Sequence, residues 1–269
     1  MSLTSTRRNV IALTAGGLIH LSSRPLAEAF GRKESKLLIR KAKDRGHTDI
    51  GWLDSYHSFS FGNYFDPERM NFRSLMVIND DKVAAGRGFP THPHKNMEIL
   101  SYVLKGTLQH RDSMGTGSII APNDIQYMSA GRGITHSEFN PSETTSNHFL
   151  QIWIRPAAHG HQPRYQQEQL EEGHIAGRLS LVASGTKPKG NHIFLRQDVD
   201  LYAAKLNETD QLEHIVEPGR HVWLQVAKGS LRVNGTTLHE GDAIATSRST
   251  SLHLDQGRHH AEILLFNLA

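Results

Sequence analysis

The sequence predicts an all-β fold built from two related units, and three observations carry that expectation. From about residue 35 onward, short apolar stretches at 37–39, 74–78, 98–104, 149–154, 222–227 and 263–266 alternate with Gly, Asn, Asp and Pro. This is the spacing of a β-sandwich or barrel. No stretch of helical length carries a 3.6-residue apolar period; the polar run 165–174, which follows Pro163 and is rich in Gln and Glu, reads as a linker or short surface helix. Finally, Tyr102-Val-Leu-Lys-Gly-Thr-Leu108 resembles Gln225-Val-Ala-Lys-Gly-Ser-Leu231 at an offset of 123, and Pro122-Asn-Asp124 resembles Glu240-Gly-Asp242 at an offset of 118, as an internal duplication would leave.

In chain order, residues 1–34 form the first segment. Arg7-Arg8 precedes an apolar run of about 12 residues from Val10 to Leu21, and Ala27-Glu28-Ala29 follows with small residues at cleavage spacing. That order reads as a secretory signal, and the paired arginines resemble the twin-arginine type. The expectation is export to the periplasm; the alternative is a disordered tail on a cytoplasmic protein. The run is short of the roughly 20 residues a membrane-spanning helix needs, so no membrane span is expected. Residues 35–161 then form the first β unit, 162–177 a linker and 178–269 the second β unit.

Composition narrows the chemistry. With no Cys in 269 residues, disulfides, thiolate zinc sites, iron–sulfur clusters and Cys nucleophiles are excluded together. A metal would have to use His and carboxylate, and the chain carries 18 His against 3 Trp. Beyond residue 34 there are 25 basic and 25 acidic residues, without the electrostatic footprint of a nucleic-acid binder.

The candidate site lies in the first unit. His92-Pro-His94 places two imidazoles at i and i+2, on one face of a strand, and His136-Ser-Glu138 repeats the arrangement. Side by side in a barrel, these pairs converge three nitrogens and one carboxylate oxygen. The 41 residues between His94 and His136 suffice for several short strands and a return to the same wall. Pro93 cannot donate a ladder hydrogen bond and belongs at an edge, near a barrel mouth. Three His and one Glu leave two positions of an octahedral ion open, which suits iron(II), manganese, nickel or cobalt better than a closed zinc site.

Other motifs carry less. His110-Arg-Asp112 has the form of a kinase catalytic loop but lacks the later Asn, a D-F-G and a preceding Gly-rich loop. Gly115, Gly117, Gly131 and Gly133 precede no strand-to-helix transition and read as turn residues. His159, His161, His259 and His260 sit in polar segments and read as surface residues.

The stretch Gly88-Phe-Pro-Thr-His-Pro-His-Lys-Asn-Met-Glu98, with Tyr102-Val-Leu-Lys-Gly106, His110-Arg-Asp-Ser-Met-Gly115 and Ser129-Ala-Gly-Arg-Gly-Ile-Thr-His-Ser-Glu138, resembles the pirin family. Within it the closest likeness is to the bacterial pirin-like quercetin 2,3-dioxygenases, over residues 35–269. The resemblance implies a bicupin, two tandem antiparallel β-barrels of cupin type, with one divalent metal ion in the amino-terminal barrel. The ion would be iron(II) first, with Mn, Ni, Co, Cu or Zn as alternatives. Carried over residue by residue, the ligands are His92, His94, His136 and Glu138. Glu98 stands where many other cupins have a ligand glutamate and is expected as a polar residue beside the site. The repeat offsets map the four ligands to Ile215, Glu217, Leu254 and Gln256, with His214 and His253 one residue off and turned away, so the second barrel is expected to hold no metal.

The implied activity is cleavage of a flavonol such as quercetin by dioxygen, with loss of carbon monoxide. Glu138 is then the expected base for the substrate hydroxyl, and Phe89 and Met97 are candidate pocket-lining residues. The alternatives are a regulatory protein whose metal oxidation state controls binding to a protein partner, or a metal-dependent enzyme acting on another small substrate. A deep cleft at the His92 end would favour an enzyme, and a flat mouth a partner surface.

Overall fold

The computed structural model describes residues 37–269 except 188, 189 and 191. The expected export signal lies outside the described residues. The described residues form one compact unit.

The first half comprises β1 (Leu38–Arg40), β2 (Gly46–Asp49), β3 (Leu53–His57), β4 (Leu75–Val83), β5 (Gly88–His94), β6 (Glu98–Lys105), β7 (Leu108–Asp112), β8 (Gly117–Ile120), β9 (Asp124–Ser129), β10 (Ile134–Phe139), β11 (Asn147–Ile154) and β12 (Arg164–Gln169). One helical turn, α1 (Glu172–Ile175), leads to β13 (Ser180–Ser184), β14 (Ile193–Phe194), β15 (Val199–Leu206), β16 (Gln211–Val216), β17 (His221–Val233), β18 (Thr236–His239), β19 (Ala243–Thr246) and β20 (Thr250–Leu268). No helix of the described residues is long and apolar enough to cross a membrane.

Two sheets make the first barrel: one of seven strands in the order β12-β9-β6-β11-β4-β3-β2, and one of four in the order β5-β10-β7-β8. In the second barrel a single nine-stranded sheet closes on itself through β17 and β20, each of which pairs with different partners along its two halves. Register shifts at Val226/Lys228 and Ser230/Arg232 mark the bends, as bulges do at barrel corners. Gly229 sits there at φ 67° with its backbone against Arg258 and His259, where only Gly fits.

The duplication is visible in the turns as well as the strands. Before β9, the Ala121 N–H donates to Asp124 Oδ2 at 3.0 Å and the Asp124 N–H returns to the Ala121 carbonyl at 2.9 Å. Before β19, His239 and Asp242 exchange the same pair at 3.1 and 2.8 Å.

Three sequence expectations are corrected. The stretch expected as a linker contains β12, which completes the seven-stranded sheet by pairing with β9, because alternating contacts with a sheet edge suffice to hold a polar strand. Residues 38–40, assigned to the first unit, pair instead with β19 of the second barrel. In the second barrel, His214 faces inward near Tyr202, at a 5.6 Å ring separation, whereas Ile215 is 59% exposed. The offset mapping was thus one residue out on β16, and a one-residue slip inverts a strand's faces. His253 does point outward.

The largest core cluster lies between the barrels. Leu100, Tyr102, Leu150, Ile152 and Ile154 of the seven-stranded sheet pack with Leu201, Trp223, Leu264 and Phe266 of the second barrel. The opposite face of that seven-stranded sheet lines the interior of the first barrel.

Candidate metal centre and its cavity

Strand alternation delivers the site. On β10, Ile134, His136 and Glu138 are buried while Thr135, Ser137 and Phe139 are only partly so, and β10 lies between β5 and β7. His136 is directly opposite His92 on one side and Asp112 on the other, and Glu138 is opposite His110. Three i, i+2 pairs thus stand side by side on one face: His92/His94, His136/Glu138 and His110/Asp112. A register shift between His136 and Glu138 lets β5 follow β10. Gly88 permits the closest approach, since a Cβ there would overlap the Glu138 carbonyl and the Phe139 backbone.

The rings of His92, His94 and His136 lie 4.5–4.9 Å apart, and their potential ligand nitrogens fall within 4.8 Å of one another. Glu138 comes within that distance of His136 and His110, but the four sequence-predicted residues do not form a single set within it. The Glu138 carboxylate instead accepts from Gln151 Nε2 at 2.7 Å and Ser101 Oγ at 3.2 Å, both from the opposing sheet.

This donor set fits a divalent ion. His136 Nε2 is buried without a hydrogen-bond partner, and an orphaned buried imidazole nitrogen beside two further imidazoles is accounted for by coordination. His92 donates Nδ1–H to the Pro90 carbonyl at 2.8 Å, which leaves its Nε2 lone pair free. Burial, followed by the neighbouring imidazoles, lowers His94 to about 4 and His136 to about 3. Both are therefore neutral, the ligating form, at neutral pH.

Beside His92 and Glu138 opens a cavity of about 270 Å³. Ile50, Leu53, Phe61, Phe89 and Trp153 supply apolar walls, and Thr48, Ser55, His57, Asn79, Asp81 and Gln151 supply polar groups. His57 donates Nδ1–H to Asn79 Oδ1 at 2.8 Å and accepts from Thr48 Oγ1 at 2.9 Å. Asp81 accepts from Ser55 Oγ, and burial raises it to about 7. Trp153 meets His94 edge to face at 4.9 Å and Phe61 at 5.4 Å.

Of the two expected lining residues, Phe89 faces the cavity, whereas Met97 packs with Ile99, Met128 and Ile134. Glu98, expected beside the site, is on the other face of β6, where it accepts from Tyr127 Oη and, at 2.8 Å, from Ser129 Oγ. Its alternation with Ser101, which does face Glu138, accounts for the difference. Gly115, Gly131 and Gly133 occupy positive-φ turns as expected, while Gly117 opens β8. His159, His259 and His260 are exposed and His161 is partly so. The pair missed by the sequence reading is His110/Asp112, both with fully buried side chains. The same i, i+2 rule that selected the other pairs applies to it.

Comparison with known proteins agrees with this architecture. Residues 38–154 match the pirin family model and 181–268 match the quercetinase C-terminal cupin domain. A quercetin 2,3-dioxygenase of Escherichia coli K12 is 45% identical over 86% of this chain and 98% of its own length. A putative quercetin 2,3-dioxygenase of Pseudomonas aeruginosa is 39% identical over 87% and 100%. The crystal structure of the bacterial pirin YhhW of Escherichia coli in complex with nickel(II) superposes with a TM-score of 0.81 at 44% identity, covering 87% of this chain and 99% of that one. With both barrels matched in order along their lengths, the chain belongs to the pirin family.

Proposed function

We propose that this chain is a metal-dependent oxidoreductase of quercetin 2,3-dioxygenase type, which opens a flavonol ring with dioxygen and releases carbon monoxide. The carrying observation is the cavity that reaches both His92 and Glu138: apolar walls with a few convergent polar groups form a small-molecule site, not a partner surface. His92, His94 and His136 would hold the ion, and Glu138, which lies beside His136, would complete the set and serve as base. The relatives' names and the nickel-bound neighbour support a divalent metal; iron(II) is our reading for the native ion.

When bound, the ion supplies Lewis acidity that lowers the pKa of a coordinated substrate hydroxyl. The rest falls to the chain. Phe61, Phe89 and Trp153 hold the aromatic rings and exclude water from the cavity. Glu138 takes the 3-hydroxyl proton, and the Gln151 and Ser101 donors aim its carboxylate. Both oxygen atoms of dioxygen enter the products, and the carbon bearing the 3-hydroxyl leaves as carbon monoxide. We further propose that residues 1–34 direct export through a twin-arginine pathway; an intact amino terminus in the mature protein would contradict this.

The deciding experiment is quercetin-dependent oxygen uptake by iron(II)-loaded protein against a His92→Ala/Glu138→Ala variant. Uptake that needs the intact residues supports the reading. Absence of uptake with iron, manganese, nickel, cobalt or copper demonstrably bound would overturn it in favour of a regulatory role.

A further inference from the structure

We propose that Asp112 and His110 act as positioning residues: a buried chain of hydrogen bonds, Asp112–His110–His136, holds His136 in the tautomer that carries its proton on Nδ1 and offers a free Nε2 lone pair. The inference deepens the metal reading above.

The argument rests on proton counting along the chain. Asp112 Oδ1 accepts from two backbone N–H groups, of Met114 at 2.8 Å and Thr116 at 3.1 Å, which build the turn between β7 and β8. Its other oxygen, Oδ2, lies 3.2 Å from His110 Nε2, and a carboxylate can only accept there. A neutral His110 therefore bears its proton on Nε2, and its Nδ1 is an acceptor. That Nδ1 lies 3.4 Å from His136 Nδ1, so the proton between them belongs to His136. His136 is left with an unprotonated Nε2, the atom found buried without a partner.

His110 has few other options. Its side chain and that of Asp112 are fully buried, and Tyr165 covers the ring at 5.0 Å while its own hydroxyl engages Ser118. The device parallels the one at His92, where the Pro90 carbonyl takes the Nδ1 proton. Partners of this kind fix the tautomer and orientation of metal-binding imidazoles, and losing one costs about 10–100-fold in metal affinity.

Asp112→Asn is the incisive variant because it is isosteric. The amide oxygen must stay on the two turn N–H groups, so the amide nitrogen takes the place of Oδ2 and donates to His110 Nε2. His110 is then protonated on Nδ1 and donates to His136, whose proton is driven to Nε2 and whose free lone pair is lost.

The test is 15N NMR of metal-free protein labelled at histidine, with the His136 signals assigned by their loss in His136→Asn, together with nickel(II) titration. Wild type should show His136 protonated on Nδ1. Asp112→Asn should show it on Nε2 and bind nickel(II) about 10–100-fold more weakly with its melting temperature retained. Wild-type His136 protonated on Nε2, or Asp112→Asn with wild-type tautomer and affinity, would overturn the inference. The wild-type spectrum decides the matter even where the variant does not fold. Failure of wild type to bind nickel(II), with the tautomer as stated, counts against the metal reading instead.

Discussion

At the residue scale, the site is a set of polar groups that an apolar barrel would otherwise exclude, and several are held by specific hydrogen-bond partners. Glu138 illustrates this, since its two donors come from the sheet facing it. Glu138→Gln should reduce quercetin-dependent oxygen uptake by about 10²–10⁴-fold, the range for loss of a positioned base, with little change in melting temperature; uptake near wild type would remove Glu138 from that role. Asp81 supplies a pH prediction for the metal-free protein. Its folded pKa of about 7 lies above the unfolded value of 3.8, so the native state holds the extra proton between those values and the Asp81 contribution to stability falls as pH rises through that window. Asp81→Asn should lack that contribution and so gain stability relative to wild type between pH 4 and pH 8 by about 4 kcal/mol, at 1.36 kcal/mol per unit over about 3 units. Denaturant titrations at pH 4 and pH 8 measure this; equal pH slopes for the two proteins would contradict it.

At the element scale, β10 organises the centre because its neighbours on both sides present i, i+2 pairs to the same interior. The arrangement tolerates no displacement of β5. Gly88→Val would place side-chain atoms against the Glu138 carbonyl and Phe139, forcing β5 away from β10 and His92 away from His136. The expected result is a clear drop in melting temperature together with loss of nickel(II) binding, whereas Gly86→Ala, where nothing stands within 4 Å of a Cβ but φ is 64°, should cost stability only modestly. The second barrel shows what the same elements become without ligands. Leu252 and Leu254 on β20 are buried in an aliphatic cluster with Val216, Leu231 and Val233, so the interior that gathers imidazoles and carboxylates in one barrel is filled with aliphatic side chains in the other.

At the scale of the whole molecule, the barrels are not independent. Their shared core contains the largest group of buried side chains, and β1 of the amino-terminal half is an edge strand of the second barrel's sheet. Polar contacts cross the same boundary: Tyr102 Oη donates to Glu262, while Lys228 Nζ donates to the Leu104 carbonyl at 2.7 Å and lies 3.6 Å from Glu262. Calorimetry should therefore show one cooperative transition for both barrels. Glu262→Ala, which leaves the buried Tyr102 hydroxyl without its acceptor, should lower stability by about 1–3 kcal/mol without separating that transition into two. Two resolved transitions in wild type would show that the interface is weaker than its burial indicates.

Much of this was legible in the chain. The β class followed from short apolar stretches between turn residues. That His92 shares a face with His94, and His136 with Glu138, followed from i, i+2 spacing, because a strand's period of two is a local property that needs no knowledge of the fold. The offset between Asp124 and Asp242 likewise marked a real structural counterpart, the turn before β9 and the turn before β19. Other features depended on which strands became neighbours. Glu98 faces away from the centre, β12 is a strand because β9 offers it an edge, and residues 38–40 belong to the far barrel; none of these is encoded within a local window. The importance of His110 and Asp112 also emerged only when β7 was seen beside β10, although their spacing was in plain view. Local periodicity determines which side chains share a face, but pairing between distant strands decides what that face meets.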